Sequence, residues 1–111
     1  MILETPVNLD DLKQISEQFY PDRIKFCIDR KMRKVAINGA MHIDMVWELV
    51  DAGSDPDDIF GGDILWDPVS VLWESHPNIE RNRMLGIGQG RKLTDQALIE
   101  ELFEILKYWI R

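Results

Sequence analysis

The chain has little of the chemistry that cross-links or anchors a protein. Among its 111 residues there is a single cysteine, Cys27, so no disulfide can form within it, and a reducing compartment is favoured. No apolar run approaches the roughly 20 residues that span a bilayer. The N-terminus shows no basic start followed by an apolar stretch, so no signal peptide is predicted. We therefore expect a cytoplasmic protein. Cys27 is predicted to be a buried core residue rather than a reactive thiol, because no sequence neighbour would obviously lower its pKa.

Positive charge is also scarce, and the middle of the chain has none. The formal net charge is −7, which argues against nucleic acid and anionic membrane as main partners, since both bind clustered cations. No Lys or Arg occurs between Val35 and Glu80, whereas cations lie on both sides of that stretch. The same stretch carries ten carboxylates: Asp44, Glu48, Asp51, Asp55, Asp57, Asp58, Asp63, Asp67, Glu74 and Glu80. Segregated charge predicts either self-complementary packing or one positive pocket on an acidic body.

The length and pattern predict one α+β domain over residues 1–111, with a small, mostly antiparallel sheet packed against about three helices. Asn8 is expected to cap a first helix that Pro21 ends, and residues 23–29 and 35–38 to form a hairpin. Asp44 is expected to cap a helix over residues 45–52. Short strands are predicted at 63–66 and 79–87, while 69–73 fits either a strand or a short helix. Thr94 or Asp95 is expected to cap a strongly apolar final helix.

Three short segments resemble a known family. They are Met41-His42-Ile43-Asp44, Ala52-Gly53-Ser54 and Asp58-Ile59-Phe60-Gly61. The family consists of roughly 110-residue bacterial proteins of unknown function, with a His-Ala-Asp-like motif and a Gly/Arg loop. The chain departs from its pattern at Ile43, at Phe60 in place of Trp, and at Gly88-Gln89 in place of Arg-Pro. The resemblance implies the same order of elements and no particular activity.

The strongest candidate site is the segment from Gly86 to Thr94. A glycine-rich loop entering a helix can present backbone N–H groups to an anion, and Arg side chains can bind phosphate or carboxylate at two points. Its spacing fits no nucleotide-binding motif. The alternative is a flexible connection with solvated cations. The anion-site hypothesis assigns six residues: Arg81, Arg83, Gly86, Gly88, Gly90 and Arg91.

A second candidate is the His42-x-Asp44 pair. On a strand the two side chains would share a face, as a metal site or an acid–base pair requires. Metal sites usually have three or four protein ligands, however, and Asp44 is already explained as a helix cap. We therefore predict a structural role, no metal and no cofactor. The acidic segment from Asp55 lacks the ligand spacing of a calcium loop, and no nucleophile motif for acyl transfer appears.

Together these patterns favour a small binding or regulatory module of unknown specificity. It would hold a small anion or an acidic peptide at the Arg/Gly loop. The alternative is a small enzyme that uses His42 and Asp44 for acid–base chemistry on an anionic substrate. Four tryptophans and the broad apolar sector of the last helix also suggest a symmetric homodimer.

Overall fold

The computed structural model describes residues 1–88 and 90–111, which form an α+β fold. Within these residues, four antiparallel strands make one sheet in the order β2-β1-β3-β4. The strands are β1 Arg23–Asp29, β2 Lys34–Ile37, β3 Ile59–Leu65 and β4 Ser70–Leu72. The helices are α1 Leu9–Ser16, α2 His42–Asp51, α3 Asn78–Leu85 and α4 Gln96–Trp109, with a 3-10 turn at Pro56–Asp58. The predicted fold class is confirmed, with four helices instead of three. None of the described helices is both long and apolar enough to span a membrane.

The two faces of the sheet carry separate cores. Residues that alternate along β1, such as Ile24 and Phe26, pack with Leu12 of α1 and Leu102 of α4. Cys27, the residue after Phe26, points to the opposite face, where it packs with α2. Burial raises the pKa of the Cys27 thiol far above its ordinary value, which confirms it as a core residue. The molecule is therefore a sheet between α1 and α4 on one face and α2 on the other.

Local signals in the sequence set several element boundaries correctly. The Asn8 side chain accepts a hydrogen bond from the backbone N–H of Asp11 at 2.8 Å, and Asp95 accepts one from Leu98 at 2.9 Å. Both are N-caps as predicted. The β1–β2 hairpin is also confirmed, with Phe26 paired to Ile37.

The predicted strand at 79–87 is wrong, because this segment forms α3. The helix follows Pro77 and ends at Gly86, whose φ of 67° is the left-handed conformation that glycine adopts easily. Its buried residues are polar: Asn78, Arg81 and Asn82 face the protein at helical spacing. A polar buried face has no apolar stripe, so the hydrophobic pattern did not indicate a helix.

Candidate functional site

An open cavity of about 570 Å³ lies on the α2 side of the sheet. Its floor comes from β1 and β3, and its rim from the first turn of α2 and the segment around His76 and Arg91. Its charged or titratable side chains come from distant parts of the chain, among them Arg23, His42, Asp63 and Arg91. The cavity thus brings cations, a carboxylate and an imidazole together.

The register of β1 and β3 places a carboxylate between two cations. Lys25 pairs directly with Asp63, and side chains of directly paired residues share a face. Arg23, two residues before Lys25, lies on that face as well. Arg23 donates from Nη1 to Oδ2 of Asp63 at 2.9 Å, and Nζ of Lys25 lies 3.7 Å from the same oxygen. Burial alone would raise the pKa of Asp63, but His42, Lys25 and Arg23 outweigh it and lower that pKa below its ordinary value.

His42 is the first residue of α2 and reaches the same carboxylate. Its Nε2 lies 2.9 Å from the carbonyl oxygen of Gly62 and 2.9 Å from Oδ1 of Asp63. A carbonyl can only accept, so Nε2 carries the proton and donates it to Gly62. In the neutral ring, Nδ1 is then the unprotonated nitrogen. Within the described residues, no donor meets Oδ1 of Asp63 with hydrogen-bond geometry.

The pairing of His42 with Asp44, on which the alternative enzyme hypothesis depended, is not formed. Asp44 lies at the third position of α2, and its Oδ2 accepts a hydrogen bond from the backbone N–H of Met41 at 3.1 Å. The predicted N-cap position is therefore wrong, because the helix begins at His42 and its N-cap is Met41, although Asp44 still caps the helix from its third position. The acid beside His42 is Asp63, which is 21 positions away in sequence.

Ser75 closes the cavity against β3. Its Oγ lies only 2.5 Å from the position that a Cβ on Gly61 would occupy. Cδ2 of His42 lies 3.2 Å from the same position. Only glycine at position 61 leaves room for both side chains. Ser75 is 4% exposed, and its hydroxyl has no hydrogen-bond partner within the described part of the chain.

Two asparagines of α3 fix the segment that carries Arg91. The amide of Asn78 accepts from the N–H of Gly61 at 2.8 Å and donates to the carbonyls of Gly61 at 2.9 Å and Arg91 at 3.2 Å. Asn82 donates to the carbonyls of Gly90 and Lys92 at 2.8 and 2.9 Å. The position of Arg91 beside the cavity is therefore set by buried side-chain hydrogen bonds.

Not all six residues of the sequence-based anion site face this cavity. Arg81 is 7% exposed, and its guanidinium donates to backbone carbonyls of Ile59, Pro56 and Pro77. Burial lowers its pKa from the ordinary value for arginine, with nearby carboxylates opposing that change.

The remaining members have different surroundings. Arg83 is exposed beside Glu80. Gly86, Gly88 and Gly90 all have positive φ, which suits a tight connection, and Gln89 within that loop lies outside the described residues. Of the six, Arg91 is the one that lines the cavity.

Sequence reasoning missed several residues of the cavity, chiefly Arg23, Lys25, Asp63 and Ser75. The alternation of β1 places Arg23 and Lys25 on one face, and that signal was present. Asp63 was hidden among ten carboxylates of the acidic stretch, and the sequence does not reveal the strand pairing that brings it to Lys25.

The chain belongs to a family described as "Protein of unknown function (DUF5674)", whose model matches residues 1–108. The expectation of an uncharacterised family of about this length is confirmed. No curated protein and no solved structure gives a significant match.

Proposed function

We propose that the protein is a small binding module that holds a small anion in the cavity between β1, β3 and the start of α2. The observation that carries the proposal is the convergence of Arg23, Lys25 and Arg91 on one cavity. Two of these cations come from the segment before the acidic stretch and one from the segment after it. On a body with a net charge of −7, such convergence produces a local positive field.

The surroundings suit a small ligand better than an acidic peptide. A volume of about 570 Å³ lies within the roughly 300–1,000 Å³ typical of small-molecule sites. The first turn of α2 borders the cavity, and the positive end of a helix dipole favours a negative group there. Asp63 and Glu74 also line the cavity. Asp63 opposes an anion near itself, so the anionic group belongs on the side of Arg91, and Glu74, whose backbone pairs with Lys92, reduces the positive field there.

The test is a calorimetric titration with inorganic phosphate at constant ionic strength, using the native chain and Arg91→Ala. We expect the variant to bind at least tenfold more weakly, because it loses a charge-assisted hydrogen bond. Lys107→Ala is the control, since Lys107 lies on α4 beside Glu104. Arg83→Ala separates the cavity from the sequence-based site on the outer face of α3. Equal affinities of native protein and Arg91→Ala, or a loss confined to Arg83→Ala, would refute the proposal.

A second candidate is a small enzyme that performs acid–base chemistry on the bound anion. It is favoured by the buried Asp63 beside His42, whose Nδ1 is free of the proton in the neutral tautomer that the Gly62 contact selects. In this form His42 is the base, and Asp63 takes the role that the sequence suggested for Asp44. His42→Asn should then abolish turnover and leave phosphate affinity within threefold of native. If the protein is only a binding module, the native chain itself shows no turnover.

Location and assembly complete the proposal. A cytoplasmic setting is supported by the single buried thiol of Cys27. A homodimer is supported by exposed apolar side chains on two helices, among them Trp47 of α2 and Tyr108 of α4. Most of the apolar residues of α4 are buried or half-buried within the chain itself, so a dimer would use little more of α4 than Phe103 and Tyr108. Sedimentation equilibrium at micromolar concentration distinguishes monomer from dimer.

A further inference from the structure

We infer that the anion bound in this cavity also carries a hydrogen-bond donor, a hydroxyl or an ammonium group, which Asp63 and Ser75 recognise. The inference rests on the proposed function, because it names the ligand class of the same cavity. The class is a small carboxylate or phosphate that bears a hydroxyl or an amine. The two recognising atoms are Oδ1 of Asp63 and Oγ of Ser75.

The first argument is the incomplete hydrogen bonding of Asp63. The residue is 3% exposed, yet its two oxygens have different surroundings. Oδ2 accepts from Arg23, while Oδ1 lies 2.9 Å from Nε2 of His42 but has no aligned donor among the described residues. The single N–H at Nε2 of His42 is directed to the Gly62 carbonyl. A buried carboxylate oxygen without a donor is costly, so a donor from a ligand would be bound strongly.

The second argument is the hydroxyl of Ser75, which is buried and without a described partner. A serine hydroxyl can donate one hydrogen bond and accept two. It can therefore accept from the same ligand donor or donate to a ligand oxygen. Its place over Gly61 is a close fit, because a methyl group at position 61 would overlap it.

The third argument is the spacing of the two groups. Ser75 lies over Gly61, and Gly61 and Asp63 are two residues apart on β3, so both face the cavity. Two residues of a strand span about 7 Å. A ligand of about three to six heavy atoms in length can lie along this row with its donor near Asp63. Its anionic group would then extend toward Arg91 on the opposite rim.

A simple anion would leave both polar atoms without a partner, because each has almost no water-accessible surface in this structure. A ligand with a donor has to displace the neighbouring side chains slightly to reach them, and it then completes both hydrogen-bond sets. The carboxylate would also discourage binding of a bare anion nearby. The two arrangements therefore predict opposite preferences between ligands that share one anionic group.

The experiment compares three probes by calorimetry: propyl phosphate, glycerol 3-phosphate and 3-aminopropyl phosphate. On the native chain we expect at least one donor-bearing probe to bind about tenfold more tightly than propyl phosphate, the effect of one hydrogen bond to a buried charged group. In Ser75→Ala and Asp63→Asn that advantage should fall below threefold, while propyl phosphate should bind as well as before or better. Ser70→Ala on β4 is the control and should keep the advantage, because Ser70 is exposed and lies outside the cavity.

The outcomes separate the two proposals. If propyl phosphate binds as tightly as both other probes, the donor inference is refuted and the anion site stands. If the advantage persists in both cavity variants, other residues supply it and the inference is again refuted. If no probe binds at all, both proposals are refuted. Ser75→Ala removes only an unpartnered hydroxyl, so this variant should fold even where Asp63→Asn does not.

Discussion

The side chain of Asn78 connects the sheet to the segment that carries Arg91, and replacing it with alanine tests this part of the fold. Strand β4 pairs with β3 only from Asp63 to Leu65. At Gly61 the described residues place no strand on the edge of β3 opposite β1, and the backbone N–H and carbonyl of Gly61 bond to the Asn78 amide instead. A side-chain amide has the same donor and acceptor as a peptide group. Asn78 therefore substitutes for the backbone partner that β4 does not provide.

The expected cost follows from the contacts that are lost. Asn78 is fully buried, and Asn78→Ala removes three hydrogen bonds. It also leaves the Gly61 N–H without a partner in a buried place. Each net hydrogen bond is worth about 0.5–1.5 kcal/mol, and an unpaired buried group costs about 1–3 kcal/mol. We expect a total loss of about 3–5 kcal/mol in the free energy of unfolding, or a fall in Tm of ~12–20 °C at ~4 °C per kcal/mol.

Urea denaturation followed by tryptophan fluorescence measures this loss, with Gln14→Ala on the exposed face of α1 as the control. Asn78→Asp sharpens the test. Its carboxylate can still accept from the Gly61 N–H, but it cannot donate to the two carbonyls and would repel them. We expect it to be at least as destabilising as alanine at neutral pH. A loss below about 1 kcal/mol for Asn78→Ala would show that the amide does not connect β3 to the Arg91 segment.

Two further predictions concern the same face of the sheet. Gly61→Ala should cost about 1–3 kcal/mol of stability and weaken phosphate binding, because the methyl group would overlap the Ser75 hydroxyl; denaturation and calorimetry measure the two effects, and unchanged values would contradict the close packing. The pKa of Asp63 is lower in the folded than in the unfolded protein, so its ionised form contributes stability that is present above about pH 4 and lost as pH falls through the folded value. Denaturation curves measured at intervals of about one pH unit between about pH 2 and pH 6 should show this loss in the native chain. In Asp63→Asn the free energy of unfolding should depend less steeply on pH.

Local sequence signals predicted those parts of the fold that local physics determines. The caps Asn8 and Asp95 and the β1–β2 hairpin depend on neighbours within a few residues, and each was identified correctly. Helix α3 was missed because its buried face consists of Asn78, Arg81 and Asn82. Those residues are buried by hydrogen bonds to backbone groups far away in sequence, and no periodicity of apolar residues reports such bonds.

The candidate site was predicted less well for a related reason. Strand β3 begins at Ile59, earlier than the strand predicted at 63–66, and both Gly61 and Gly62 lie inside it. Each is a place of close approach, since a Cβ on Gly62 would lie 2.7 Å from the ring of Phe26. Close approach depends on which side chain lies opposite, and that is known only once the sheet is assembled. Arg91 was identified from sequence, but its partners in the cavity come from β1 and β3.

The segregation of charge along the chain takes on a physical meaning in the folded protein. Asp63 belongs to the stretch without cations, whereas Arg23 and Lys25 precede that stretch and Arg91 follows it. Antiparallel pairing brings Asp63 to Lys25, and α3 holds the backbone of Arg91 near the same cavity. Most other carboxylates of the stretch remain on the surface, where they repel anions. An anion is thus attracted to one place on the molecule, and the asparagines of α3 that hold this place together are as necessary to it as the cations that line it.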